Sequence, residues 1–328
     1  MGKKSEFIKA LLRGDLRVAE FALTNICTAK CSFCSIWAQK EKFTVDIDKA
    51  VATVDKLKEL GVNFITLTGG EPLLHPGFKR IAARCAENKM ITTTITADPR
   101  VLNGKRLDIL QETNIDIMGI SIDHHLEEVA FKARKIPDAI KGIETALKGL
   151  KQRGIFTTAC VLISDFNHQE LPDLMEKCLV LGFDSISMNY PVFSQSPTYT
   201  LGGEAIRLSK EELIASLYEI LRLKKRYNIV NPAHSIKNII MYLEGKKPRY
   251  TCLGGYRSLF IDWKFQTFPC MFFERSMGNI LELTRKDIKK TACNLCNMSW
   301  YRDFSIYFQG LKSVAPLLGE LGRIASFK

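Results

Sequence analysis

VAEFALTNICTAKCSFCSIW, residues 18–37, runs a β-prone apolar stretch straight into three cysteines. Cys27, Cys31 and Cys34 follow the spacing C-x3-C-x2-C. A structural zinc takes four ligands, typically with C-x2-C pairs, and a ferredoxin-type cluster also takes four cysteines. Three thiolates instead leave one iron of a cubane open, and an open iron is where chemistry happens.

The rest of the chain sets bounds on that chemistry. It has 328 residues, 46% of them apolar and 25% charged, the composition of an ordinary globular protein. No apolar run is long enough to span a bilayer. The start, MGKKSEFIKALLRGDLR, is basic but lacks the apolar core of a secretory signal, so a cytoplasmic location is expected. In a reducing compartment ten cysteines read as ligands or catalytic groups before disulfides. Cys252, Cys270, Cys293 and Cys296 form a second set, whereas Cys85, Cys160 and Cys178 are scattered, as small buried apolar residues are. The net charge of +12 favours an anionic partner, but the charge is spread in short runs that also suit a solvated surface.

Downstream of the cysteines the pattern alternates. Residues 18–24, 63–69, 91–97, 116–122, 156–163 and 185–191 read as strands, and the first five are each followed, directly or after a loop, by apolar residues at helical spacing. Six such units predict an α/β fold, a partial (β/α)6 TIM-like barrel with its functional groups at the C-terminal strand ends. The cysteine motif sits at that end of the first strand. Residues 205–245 are strongly helical; from 250, cysteines, aromatics and turns dominate. The expected organisation is an amphipathic segment over 1–17, the barrel over 18–245, a small cysteine-rich domain over 246–310 and an amphipathic tail over 311–328.

The motif C-x3-C-x-aromatic-C, with Phe33 before its last cysteine, resembles the radical SAM superfamily, and Gly69-Gly70-Glu71-Pro72 after the second strand looks like that family's GGEP motif. The resemblance implies a [4Fe–4S] cluster on Cys27, Cys31 and Cys34, with S-adenosylmethionine on the open iron. One electron then cleaves the carbon–sulfur bond, and the 5′-deoxyadenosyl radical removes a hydrogen atom from substrate. A reducing partner such as flavodoxin or ferredoxin is implied. By the same similarity, Gly69, Gly70, Glu71 and Pro72 would meet the methionine amino group and Phe33 would border the adenine. Ser121 would meet the ribose, with Asp123 two residues on. Thr96, Met188 and Asn189 are further candidates at strand ends. His124 and His125 can move protons, bind an anion or lie in a solvated loop. Cys160 and Tyr190 are candidates for returning a hydrogen atom to substrate, and Asp123 completes the catalytic candidates.

The second set, C-x17-C-x22-C-x2-C, resembles the auxiliary-cluster domain of radical SAM enzymes, in its shortened "twitch" form rather than the full SPASM form. Four cysteines fully ligate one [4Fe–4S] unit; zinc is the alternative. A fully ligated cluster passes electrons rather than binding substrate, which favours oxidation or oxidative bond formation over a purely structural role. The substrate is less legible. Basic amphipathic ends can lie on a membrane or cap the barrel. Capping the barrel is the favoured account of the ends and peripheral membrane contact the other; the leading expectation is a small-molecule or lipid-like substrate, anionic in character. A peptide- or protein-modifying maturase is the alternative, and an RNA-modifying enzyme the lesser one, since no nucleic-acid-binding module is visible.

Overall fold

The computed structural model describes residues 17–192, 206–291, 293–294 and 296–314, together with the single residues 3, 9, 316 and 320. The expected strands are β1 (Arg17–Ala22), β2 (Val62–Thr68), β3 (Ile91–Thr96), β4 (Ile117–Ser121), β5 (Phe156–Leu162) and β6 (Ser185–Asn189). They pair in parallel and in chain order. The connecting helices are α1 (Ile47–Glu59), α2 (Phe78–Glu87), α3 (Gly104–Glu112), α4 (Glu127–Arg134), α5 (Ala139–Gln152) and α6 (Leu171–Leu181). Two more, α7 (Lys210–Leu223) and α8 (Ala233–Leu243), follow β6.

Local chemistry sets the helix starts. Asp46 caps α1 by accepting from the Lys49 N–H at 2.9 Å, and Ser209 with Glu212 forms a reciprocal capping box on α7. In α5 the buried Ile140, Ile143, Leu147 and Leu150 recur at three- and four-residue steps, giving one apolar stripe against the sheet. Each such side chain contributes about 1.5–3 kcal/mol on burial.

The two faces of the sheet differ. Ala19, Phe21, Ile65, Leu67, Met118, Ile120, Ala159, Val161 and Met188 are fully buried in the core. The other face is small and polar. Strand register places Glu20 beside Thr66 and Thr93, then Gly119 beside Thr158 and Ser185, then Ser121 beside Cys160 and Ser187, and last Leu162 beside Asn189. This face lines the lumen, and its upper tiers lie at the C-terminal ends of β4, β5 and β6.

The cysteine-rich segment continues the same sheet. β7 (Ser258–Ile261) pairs in parallel with β1, and β8 (Gln266–Phe268) and β9 (Gly278–Asn279) extend it antiparallel. A short helix, α9 (Ser299–Ser305), then spans from β6 to β1: Ser299 Oγ lies 3.5 Å from Asn189 Oδ1, and Tyr301 donates its hydroxyl to Glu20 at 2.5 Å. Phe304 packs against Phe64 of β2. Of the two amphipathic ends, Lys3 pairs with Asp116 at 2.8 Å and Glu320 with Lys224 at 3.1 Å. These are contacts to the barrel; most of both segments lies outside the described residues. No described helix is long and apolar enough to cross a membrane.

Candidate active site

The three-cysteine loop leaves β1 and is anchored at both its base and its tip. Asn25 closes the base, donating to Gln39 Oε1 and the Glu41 carbonyl while accepting from the Phe43 N–H. The tip hangs on the C-terminus of α4, where the Ala133 and Arg134 carbonyls accept from the Ser32 and Lys30 N–H groups. These are helix-end acceptors that need partners from outside the helix.

Gly69 and Gly70 lie against this loop. The Gly70 N–H donates to the Thr24 carbonyl at 2.6 Å, and the Glu71 N–H to the Ile26 carbonyl at 2.7 Å. A Cβ on Gly70 would sit 2.3 Å from the Ile26 oxygen, and one on Gly69, whose φ is +130°, 2.3 Å from the Thr24 oxygen. The glycines are thus required by the close passage of backbone on backbone that fixes the approach to Cys27.

Glu71 is buried, with its carboxylate engaged. Thr96 Oγ1 donates to Glu71 Oε2 at 2.6 Å and the Leu73 N–H to Oε1 at 3.3 Å. Burial raises the Glu71 pKa to about 7; burial also raises the Cys27 thiol, and Glu71 adds to that rise. Thr96 therefore does not reach the cavity as expected; it faces the opposite side of β3 and holds Glu71. Pro72 opens a short 3-10 turn, and Phe33 lies beneath the Arg134 guanidinium, 5.2 Å from its ring centre.

Asp123 also differs from its expected part as a catalytic group. Its Oδ2 accepts from Arg134 Nε at 2.5 Å, and its Oδ1 accepts from Arg134 Nη2 and the Leu162 N–H, both at 3.2 Å. So engaged, it positions Arg134, whose Nη1 lies 3.6 Å from Cys31 Sγ. Burial pushes the Cys31 thiol up and Arg134 opposes that rise.

Ser121, Cys160 and Asn189 do face the lumen. Gly119 makes room for Cys160, since a Cβ there would lie 2.9 Å from the sulfur. Met188 is buried against the helices instead, and Tyr190 falls on the other side of β6, its hydroxyl buried with no partner among the described residues. His124 and His125 stack 4.5 Å apart, with their Nε2 atoms 3.3 and 3.5 Å from Glu170 Oε2. His124 Nδ1 accepts from the Leu126 N–H, which keeps the ring proton on Nε2, facing Glu170. That arrangement suits hydrogen bonding better than a cation, which would need the Nε2 lone pair.

The second cysteine set gathers around α9. The Cys252 N–H donates to the Cys293 carbonyl at 3.0 Å, and Gly254 and Gly255 pack on Pro269, next to Cys270. Burial raises the Cys252 thiol to about 11, and Arg302 opposes the rise at both Cys252 and Cys296. Two observations test what these sulfurs fit. Tetrahedral zinc with bonds of about 2.3 Å needs sulfurs about 3.8 Å apart. Among the described residues, the one group of three or more potential ligand atoms within 4.8 Å of each other is His124, His125 and Glu170; neither cysteine set closes so tightly. In addition, both terminal nitrogens of Arg302 are buried with no hydrogen bond of ordinary geometry among the described residues. Wide sulfur spacing and waiting donors fit a cluster.

Residues 21–178 match the family model for the radical SAM superfamily. The chain carries a radical SAM domain. It is 25% identical over 268 residues to the antilisterial bacteriocin subtilosin biosynthesis protein AlbA of Bacillus subtilis, a match covering 80% of this chain and 57% of AlbA. It is 24% identical over 278 residues to the sporulation killing factor maturation protein SkfB of the same organism, covering 82% and 64%. In each case the match spans less than two thirds of the relative. In fold it resembles SuiB of Streptococcus suis, crystallised with S-adenosylmethionine and with its precursor peptide SuiA. The TM-scores are 0.64 and 0.63 at 15% and 16% identity, over 94% of this chain and 71% and 70% of SuiB. The family implies a [4Fe–4S] cluster that binds S-adenosylmethionine and an auxiliary cluster; Cys27, Cys31 and Cys34 are the residues that would hold the first, and Cys252, Cys270, Cys293 and Cys296 those that would hold the second. Such a first cluster, with S-adenosylmethionine bound, would supply an electron and an organic radical for hydrogen-atom abstraction.

Sequence reasoning missed Arg134, Arg302, Asn25 and the Glu20–Tyr301 pair. An NICTAKC run offers a hint of Asn25 as a loop-closing residue. The others are joined by contacts across 6 to 281 positions that no sequence pattern records.

Proposed function

We propose that this chain is a peptide-modifying radical SAM maturase. What supports the reading is the naming of AlbA and SkfB, which match 268 and 278 residues of this chain, for bacteriocin biosynthesis and killing-factor maturation. This replaces the small-molecule or lipid substrate as the leading reading: the amphipathic ends that prompted a lipid make barrel contacts where they are described.

Within this reading the protein's own groups divide the work. The GGEP turn and Arg134 fix the cysteine loop, while the lumen tier of Ser121, Cys160 and Ser187 meets the reacting end of the substrate. Cys160 is the hydrogen-atom donor in this reading. Burial raises its thiol to about 12, so the S–H stays intact at neutral pH. The test is anaerobic incubation with S-adenosylmethionine, a reductant and short peptides encoded beside the gene. Peptide-dependent 5′-deoxyadenosine is expected, with one peptide hydrogen exchanged for solvent deuterium and the peptide's hydrogen count unchanged. Turnover with a small molecule and none with any such peptide would overturn it.

A further inference from the structure

We propose that Arg302 sets the redox potential of the auxiliary cluster by donating hydrogen bonds to its sulfur atoms. The side chain is 2% exposed, and the residue lies on α9, six positions after the cluster ligand Cys296. Its Nε donates to the Cys296 carbonyl at 2.5 Å, and its guanidinium lies over the Tyr242 ring at 5.2 Å. Those two contacts fix the plane of the fork. Both Nη atoms are buried with no hydrogen bond of ordinary geometry among the described residues, while the Arg302 side chain lies near enough to the Cys296 thiol to lower its pKa by charge and by hydrogen bonding.

A guanidinium is always charged, and a buried charge with unmade hydrogen bonds is costly. Groups at hand that can relieve that cost are the sulfurs of the cluster: the charge already acts on the thiols of Cys252 and Cys296. The couple is [4Fe–4S]2+ plus one electron giving [4Fe–4S]+. With four thiolates the reduced form carries one more negative charge, so a fixed cation and two N–H donors favour it and raise the potential. Arg302 is thus a positioning residue that suits the cluster to accepting an electron. The inference rests on the four cysteines holding a cluster, and not on the substrate being a peptide.

The experiment uses full-length protein carrying Cys27→Ala/Cys31→Ala/Cys34→Ala, reconstituted anaerobically and titrated with dithionite and mediators under EPR. About four irons per chain are expected. Arg302→Met should retain the iron and lower the reduced-to-oxidised ratio at a fixed potential at least tenfold, ~59 mV for one electron. Full iron with an unmoved potential overturns the role of Arg302; zinc in place of iron overturns the cluster itself. Should Arg302→Met fail to hold metal, the parent protein decides. With arginine 15N-labelled at the guanidinium, pulsed EPR of the reduced cluster should show a 15N coupling, and its absence overturns the proposal.

Discussion

Glu20 is an acid placed where water does not reach, and its titration can be worked through to a number. It stands on the lumen face of β1 and accepts from Tyr301. Burial raises its pKa from 4.5 to about 7, against the opposing effect of the Tyr301 hydrogen bond. A raised acid pKa means that the folded chain holds a proton the unfolded chain has released. The contribution is fully present below pH 4.5 and is lost as the pH rises through 7. Each pKa unit corresponds to about 1.4 kcal/mol, and integrating between pH 5 and pH 8 gives a loss of about 2–3 kcal/mol. Glu20→Gln keeps the shape and an acceptor for Tyr301 but does not titrate. Urea unfolding of both proteins at the two pH values isolates the site, because every other titrating group is common to both and cancels. The wild type should lose about 2–3 kcal/mol more than Glu20→Gln. Equal losses would show that Glu20 is not held as a buried acid, and the closed lumen floor would go with it.

Four further outcomes follow from the geometry. Gly70→Ala forces a Cβ into the Ile26 carbonyl and should break two backbone hydrogen bonds of about 1 kcal/mol each. Anaerobic reconstitution should then give about four irons instead of about eight. Gly104→Ala, with nothing within 4 Å, should stabilise by about 0.4–1 kcal/mol in thermal unfolding. Asp123→Ala strands the buried Arg134 and should cost about 3–5 kcal/mol in chemical denaturation, with Asp123→Asn retaining part of the loss. Cys160→Ala should still form 5′-deoxyadenosine but stop the transfer of solvent deuterium to product, read by mass spectrometry; undiminished transfer would remove the thiol from the reaction.

What the sequence made legible follows physical range. Strand runs such as ITTTITA and SISMNYP and the amphipathic periods of α1 and α5 are local, and the observed elements fall within one or two residues of the expected ones. The cysteine motif and GGEP are local too. α4 was not expected, because EEVAFKAR is too short for a full apolar period, yet its end carries the cysteine loop and Arg134. β7–β9 were hidden for a related reason: two to four residues each, they gain their strand character from pairing with β1 and with one another. Thr96 and Ser121 both end strands, and only the register shows that one turns to Glu71 and the other to the lumen.

α9 joins these separate observations into one physical argument. Successive residues of this single helix serve different ends: Ser299 meets the mouth of β6, Tyr301 the lumen floor, Arg302 the auxiliary cysteines and Asp303 the Asn231 amide beside Met188. Burial holds Asp303 near 7 as well, so the helix sets two carboxyls poised close to neutrality, Asp303 on itself and Glu20 across the lumen, beside one permanent cation. A helix of seven residues is not stable alone; it stands because the cysteines at its start and the barrel at its sides both hold it. If the second cysteine set holds a metal, its removal should therefore release the groups that close the lumen between β6 and β1, so that the cavity depends on that set whether or not an electron passes between them.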